Sequence, residues 1–187
     1  MASEVDICNL ALNKIGQNTI ISLTEDSKAA RICNLFYADT RDSLLRQHPW
    51  NFAVKRVELA KLTTTPVFGF DNEFQLPSDC LRVMYTNLKF PQDKFRIEGK
   101  KLLADSDSIK IEYISRVEDT TQFDALFVDA LWMSIASRIA YNISDNNTLV
   151  SFLDNKVKEV IRHAKSIDGQ EGIPYPIDAD DWLNSRL

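Results

Sequence analysis

Ile109-Lys110-Ile111-Glu112-Tyr113 alternates apolar and polar residues without a break. Successive side chains of a strand point to opposite faces, so Ile109, Ile111 and Tyr113 share one face and Lys110 and Glu112 the other. This stretch argues against an all-helical chain and predicts sheet around it. From Trp50 to Arg116, β-branched and aromatic residues dominate between breaks at Thr63-Thr64-Thr65-Pro66, Pro77-Ser78-Asp79, Pro91 and Gly99. We read residues 50–116 as a small antiparallel sheet, with a hairpin over 95–104 that turns at Gly99-Lys100. Over 52–62 the spacing of Val54 and Val57 also suits a helix, and that stretch admits either reading.

Both flanks of this insertion carry helical periodicity. Residues 1–48 open with Ser3 and Asp6 at capping-box spacing, followed by Val5, Cys8, Leu12 and Ile15, and Gly16 supplies a left-handed end near Lys14. A second start at Ser22 with Glu25 leads into Ala29, Cys33, Phe36, Thr40 and Leu44, a helix that must stop before Pro49. Residues 120–168 form a helical hairpin. Its first arm opens at Thr121 with Asp124 and runs to about Ile143, and its second places Val150, Leu153, Val157, Val160, Ala164 and Ile167 along one seam. The short connection makes these two helices antiparallel neighbours. Gly169, Gly172, Pro174 and Pro176 then enforce an extended arm over 169–187, where Asp178, Asp180 and Asp181 surround Trp182 and Leu183. The expected fold is α+β, a single domain of about four helices with an antiparallel β-rich insertion between the second and third.

Composition narrows the function classes. With 187 residues, 44% hydrophobic and 26% charged, the chain has enough apolar material for one core without a staple. A net charge of −5 without a long basic run disfavours tight nucleic-acid binding, yet suits a surface past which nucleic acid slides. Cys8, Cys33 and Cys80 are too scattered for a disulfide framework and suggest a reducing compartment. The start lacks a signal-peptide pattern and charge breaks each apolar stretch, so neither export nor a membrane span is expected.

Chemistry-bearing patterns are sparse. His48 and His163 are far apart in sequence with no metal-ligand spacing, no Gly-x-Ser-x-Gly turn is present, and the five glycines stand isolated rather than in a phosphate loop. No catalytic, cofactor or metal site is expected. Within His48-Pro49-Trp50-Asn51-Phe52 the aromatics serve as a core anchor at a helix-to-strand junction, with an exposed stacking platform as the competing use. Phe68 and Phe70 flank Gly69 either as sheet packing or as a loop tip pressed on a neighbour, and Trp182 with Leu183 needs something to bury it.

Taken in order, several segments form a specific set. They are Asn9-x-Ala11-Leu12-x-x-Ile15-Gly16, Ile21-Ser22-Leu23-Thr24-Glu25-Asp26-Ser27 with Ala29-Ala30-x-x-Cys33, and Tyr37 with Arg41-Asp42. There follow His48-Pro49-Trp50-Asn51-Phe52-Ala53, Arg56, Leu59, Phe74-Gln75-Leu76-Pro77-Ser78-Asp79-Cys80-Leu81-Arg82, and finally Asp181-Trp182-Leu183 with Arg186. The chain resembles, over nearly its whole length, the tail tubular protein A family, the head-to-tail adaptors of short-tailed phages. The resemblance implies a virion protein at the head-tail junction, assembled in the host cytoplasm as a ring of twelve copies. Such a ring lies between the portal protein and a tail nozzle of the tail tubular protein B type, with DNA passing through its channel unread. It implies no enzymatic activity, no cofactor and no membrane. Under it, Tyr175, Trp182, Leu183 and Arg186 of the arm, with Phe68 and Phe70, are the candidate partner-binding residues. The alternative is a DNA-binding or regulatory helical module, with Arg41, Arg46, Lys55, Arg56 and Lys61 as a basic strip.

Overall fold

Ser3 opens the first helix through a reciprocal pair. Its hydroxyl accepts from the Asp6 amide at 3.1 Å, and the Asp6 carboxylate accepts from the Ser3 amide at 2.8 Å, which satisfies two amides that a helix start leaves free. The computed structural model describes residues 2–88, 93–144 and 147–172, and within these it has four α-helices and seven strands. Helix α1 spans Glu4–Lys14 and ends before Gly16, whose φ of +74° is the left-handed turn that a residue without Cβ adopts cheaply. Asn9 then fastens the following loop: its amide donates to the Ile20 carbonyl at 3.0 Å and accepts from the Ile20 amide at 2.8 Å. Only a side chain with both donor and acceptor can do this.

Ser22 and Glu25, expected to begin the second helix, instead close a turn. Glu25 accepts from the amides of Ile21 at 2.8 Å and Ser22 at 3.4 Å, so its carboxylate is used by the loop. Helix α2 (Lys28–Gln47) starts at Ser27, whose hydroxyl accepts from the Ala30 amide at 3.1 Å. It stops at His48, extended at φ −143° and ψ 144°, as a residue before proline must be.

After a short 3-10 turn at Asn51–Ala53 the chain enters β1 (Val54–Glu58) and β2 (Ala60–Lys61), which resolves the open reading of 52–62 in favour of strand. The remaining strands are β3 (Asn72–Gln75), β4 (Cys80–Thr86), β5 (Phe95–Glu98), β6 (Lys101–Ala104) and β7 (Lys110–Ser115). They form two antiparallel sheets rather than one, in orders β1-β7-β4 and β2-β3-β6-β5. The β5-β6 hairpin turns at Gly99, as expected from the sequence, with φ +60° there.

Period two in β7 explains how the sheets stack. Ile111 and Tyr113 enter a core with Leu59, Phe74, Leu102 and Ile109 between the two sheets, while Ile114 on the opposite face joins the helical core. That opposite face is divided: Ile114 is covered by helices, and Glu112 is buried against the Arg56 guanidinium of β1 at 2.7 Å. Alternation alone would have left Glu112 in water.

Helix α3 (Ala125–Ser144) starts at Asp124, which accepts from the Leu126 and Phe127 amides at 2.8 and 3.3 Å. The expected start at Thr121 falls instead in a separate turn held by Asp119. From Ala130 to Ala136 nearly every α3 residue is buried, because the helix touches α1, α2 and α4 (Asn147–Asp168) at once, whereas α1 and α2 meet little. In α4 the seam holds through Leu153 and Ala164 but shifts at its end: Ile167 is 38% exposed and Asp168 is buried.

Tyr37, on α2, is buried, and its hydroxyl has no hydrogen-bond partner among the described residues. Burial pushes its phenol up, with Glu4 adding to the effect. Tyr37→Phe removes an unpaid polar group at nearly constant volume. Urea denaturation is expected to show unchanged or increased stability, by up to about 1 kcal/mol, and a loss above that would reveal a bond the hydroxyl makes.

Candidate functional site

The junction His48-Pro49-Trp50-Asn51-Phe52 is where the helices and the β module are joined. Trp50 is fully buried, its indole donates to the Leu44 carbonyl at 3.1 Å, and its ring meets Phe127 edge-on at 5.1 Å. Phe52 lies 5.0 Å from Phe127 and 5.8 Å from Phe123, completing an aromatic cluster. Trp50 is thus the core anchor that its position suggested, not a stacking platform.

The same junction holds the end of α4. Asp168 accepts from the Asn51 amide at 3.1 Å and sits 2.9 Å from His48 Nε2, while Asn51 Nδ2 donates to the Asp168 carbonyl at 2.8 Å. Sequence reasoning missed this group, since Asp168 lies 120 positions from His48 and beside a seam that marked Ile167 for burial. A His and an Asp within bonding distance suggest acid-base chemistry in isolation. Here the Asp168 carboxylate is taken up by two donors and its side chain is only 8% exposed, which makes it a clamp.

Other candidates resolve in the same way. Cys8 and Cys33 are buried, and their thiols meet across α1 and α2; the hydrogen bond with Cys33, together with burial, pushes the Cys8 thiol up. Burial and the nearby Asp79 raise Cys80 as well, a direction opposite to that of an activated thiol. Tyr113 is pushed up to about 12 by burial and by Asp79, to which its hydroxyl donates at 3.1 Å. Among the described residues no three of His, Cys, Asp and Glu are grouped to hold a metal ion, and no helix is long and apolar enough to cross a membrane.

The cations of the supposed basic strip are each engaged within the chain, four by carboxylates and Arg46 by a backbone carbonyl. Arg41 is buried beside Asp42 at 2.9 Å, Lys55 contacts Asp79 at 3.0 Å, Arg56 contacts Glu112 at 2.7 Å, Lys61 contacts Asp107 at 2.8 Å, and Arg46 donates to the Leu81 carbonyl. Charges tied in this way hold strands and helices together and leave little field for a phosphate backbone.

Exposed apolar surface gives the more informative result. The β2-β3 loop carries Val67 and Phe68, 98% and 87% exposed, ahead of Gly69 at φ +88°, while Phe70 is half-buried at its base. Of the two uses open for this segment, the exposed loop tip describes Phe68. Tyr175, Trp182, Leu183 and Arg186 lie outside the described residues. Two surface hollows lie on other elements. One, of about 450 Å³, lies between α3 and α4 beside Trp132 and His163; the other runs over the open half of the three-stranded sheet. No protein-family model matches the chain, and no curated protein matches it.

Proposed function

We propose that this chain is a non-catalytic structural protein, a head-to-tail adaptor that assembles as a ring with copies of itself between a phage portal and its tail nozzle, around the DNA channel. The observation that carries the reading is the Val67-Phe68 tip: two large apolar side chains held almost wholly in water, on a loop braced by paired strands. Water penalises such a tip by roughly 1.5–3 kcal/mol per side chain, a cost recovered when a partner covers it. A ring needs heterologous contacts, a projection on one face and a receptor on another, and the tip is a candidate for the first. The ordered motif set of the sequence adds the identity of the assembly. Many of its described members serve the fold that presents the tip, as Asn9, Trp50, Asn51 and Asp79 do. The DNA-binding alternative is weakened because the five cations it would use are already engaged.

The test is native mass spectrometry of the chain with portal, comparing the wild type with the double variant Val67→Asp, Phe68→Asp. Both positions are exposed, so the helical circular dichroism signal is expected to be unchanged and the unfolding free energy to stay within about 0.5 kcal/mol of the wild type. Ring formation on the portal is expected to weaken at least tenfold, the equivalent of about 1.4 kcal/mol. Unchanged assembly by the variant, or indifference of the wild type to portal, would overturn the reading.

A further inference from the structure

The Val67-Phe68 tip has a counterpart elsewhere on the molecule. Val67 is 98% and Phe68 87% exposed, so no described residue of their own chain covers them. From Leu62 to Asn72 the sequence holds no cation, and its single charge there is Asp71, three residues past Phe68 and within roughly 10 Å of it. The Asp71 amide donates to the Asp105 carboxylate at 3.1 Å, whereas the Asp71 carboxylate is exposed and makes no hydrogen bond or ion pair with a described residue. The tip is thus an apolar point on an acidic base.

The hollow between α3 and α4 has the complementary character. Leu126, Trp132 and Met133 of α3 with Val160 and Ala164 of α4 give it an apolar floor, and its volume is about 450 Å³, in the range of sites that enclose a small organic molecule. Trp132 is half-buried and its indole donates to Asp129 at 3.0 Å, so the polar end of the ring is satisfied and the rest of its surface is apolar. On the rim Lys156 and Glu159 pair at 2.8 Å, while Arg162 is exposed and forms no hydrogen bond or ion pair with a described residue. A tryptophan beside an uncommitted arginine is the composition in which protein contacts concentrate their binding energy. The hollow over the three-stranded sheet suits the tip less well. It is lined by Glu58 and Glu112, which would meet Asp71 with like charge, and its Arg56 is already bound to Glu112 at 2.7 Å.

Resting on the reading of the tip as an assembly contact, we propose that its receptor is the α3-α4 hollow of a second copy of this chain, with Val67 and Phe68 seated on Trp132 and Val160 and Asp71 reaching Arg162. Tip and hollow sit on different elements, the β2-β3 loop and the helical hairpin, so the contact is head-to-tail. Each copy offers one of each, and such a contact repeats from copy to copy until its rotation closes a ring. Burial of two large apolar side chains supplies the attraction, and the pair of opposite charges fixes the way the tip enters.

Cross-linking of the full-length chain tests this. A chain carrying Val67→Cys and Glu159→Cys, assembled on portal and oxidised with diamide, is expected to give a ladder of covalent oligomers beyond the dimer on a non-reducing gel, and neither single variant is. Rings that form but yield no ladder would overturn the proposal and leave the adaptor reading standing. A ladder that ends at the dimer would overturn it too, by assigning the contact to a two-fold pair. Charge reversal gives a readout that needs no cysteine. Asp71→Arg and Arg162→Asp, both at exposed positions, are each expected to weaken ring formation about fivefold, and the two combined in one chain to restore it to within about twofold of the wild type. Absence of that recovery would also overturn the proposal, whereas a wild-type chain that forms no ring with portal would bring down the adaptor reading and this receptor together.

Discussion

Trp50→Ala is expected to destabilise the chain by about 3–5 kcal/mol, a large share of the stability of any domain of this size. The indole is 0% exposed, lies 5.1 Å from Phe127 and 4.9 Å from His48, and gives its only donor to the Leu44 carbonyl. Alanine would open a cavity where α2, α3 and the start of the β module meet, and it would strip a partner from a carbonyl at the end of α2. Surrounding elements cannot collapse into the space, because Pro49 and the 3-10 turn fix the backbone on either side. Trp50→Phe is expected to cost less, since it keeps most of the apolar area and loses the hydrogen bond. Urea unfolding followed by circular dichroism checks both, and a cost below about 1 kcal/mol for alanine would show that the junction does not anchor the core.

Asp168→Ala is the second large effect, expected at about 2–4 kcal/mol. An acidic residue at the last position of a helix faces the negative end of the helix dipole, so Asp168 is retained against a local preference. Its bonds to His48 and the Asn51 amide compensate, and removing the carboxylate leaves both donors unpaired in a part-buried place. The loss is expected to appear as faster amide exchange along the last two turns of α4, with the β sheets unaffected. A chain cut after Ile167 should show the same defect, whereas a cut after Gly172 should not. Arm function is therefore tested with the later cut, because the earlier one also removes the clamp.

Much of the fold is legible in the sequence because its signals are local. Ser3 with Asp6, Gly16, Pro49 and Gly99 each act within a few residues, and the alternation around Ile111 reports a strand wherever that strand goes. Two helix starts were misplaced for one shared reason: several residues nearby could cap, and the choice depended on which carboxylate the loop consumed. Glu25 went to the Ile21 turn and Asp119 to the Thr121 turn, leaving Ser27 and Asp124 to start the helices. The split into two sheets was not legible, because strand length and spacing say nothing about whether β2 continues the sheet of β1 or begins another. The Asp168 clamp was hidden by distance, and the pairing of Arg56 with Glu112 by register, neither of which a periodic pattern encodes. Among the candidate contact residues only Phe68 and Phe70 could be placed, and Gly69 between them was the sequence sign of a tight exposed loop.

The central position of α3 sets the order in which this polypeptide can mature on the ribosome. The apolar sides of α1 and α2, carrying Ile7, Leu12, Leu44 and Leu45, are closed chiefly by α3, and α3 is synthesised only after the whole β module. A nascent chain that has emerged as far as Asp124 therefore holds two helices with no lasting place to dock, and the translation of the next twenty codons ends that exposure. Early helices here wait on a late one, so slowing elongation across that window should raise the demand for chaperones far more than slowing it anywhere downstream.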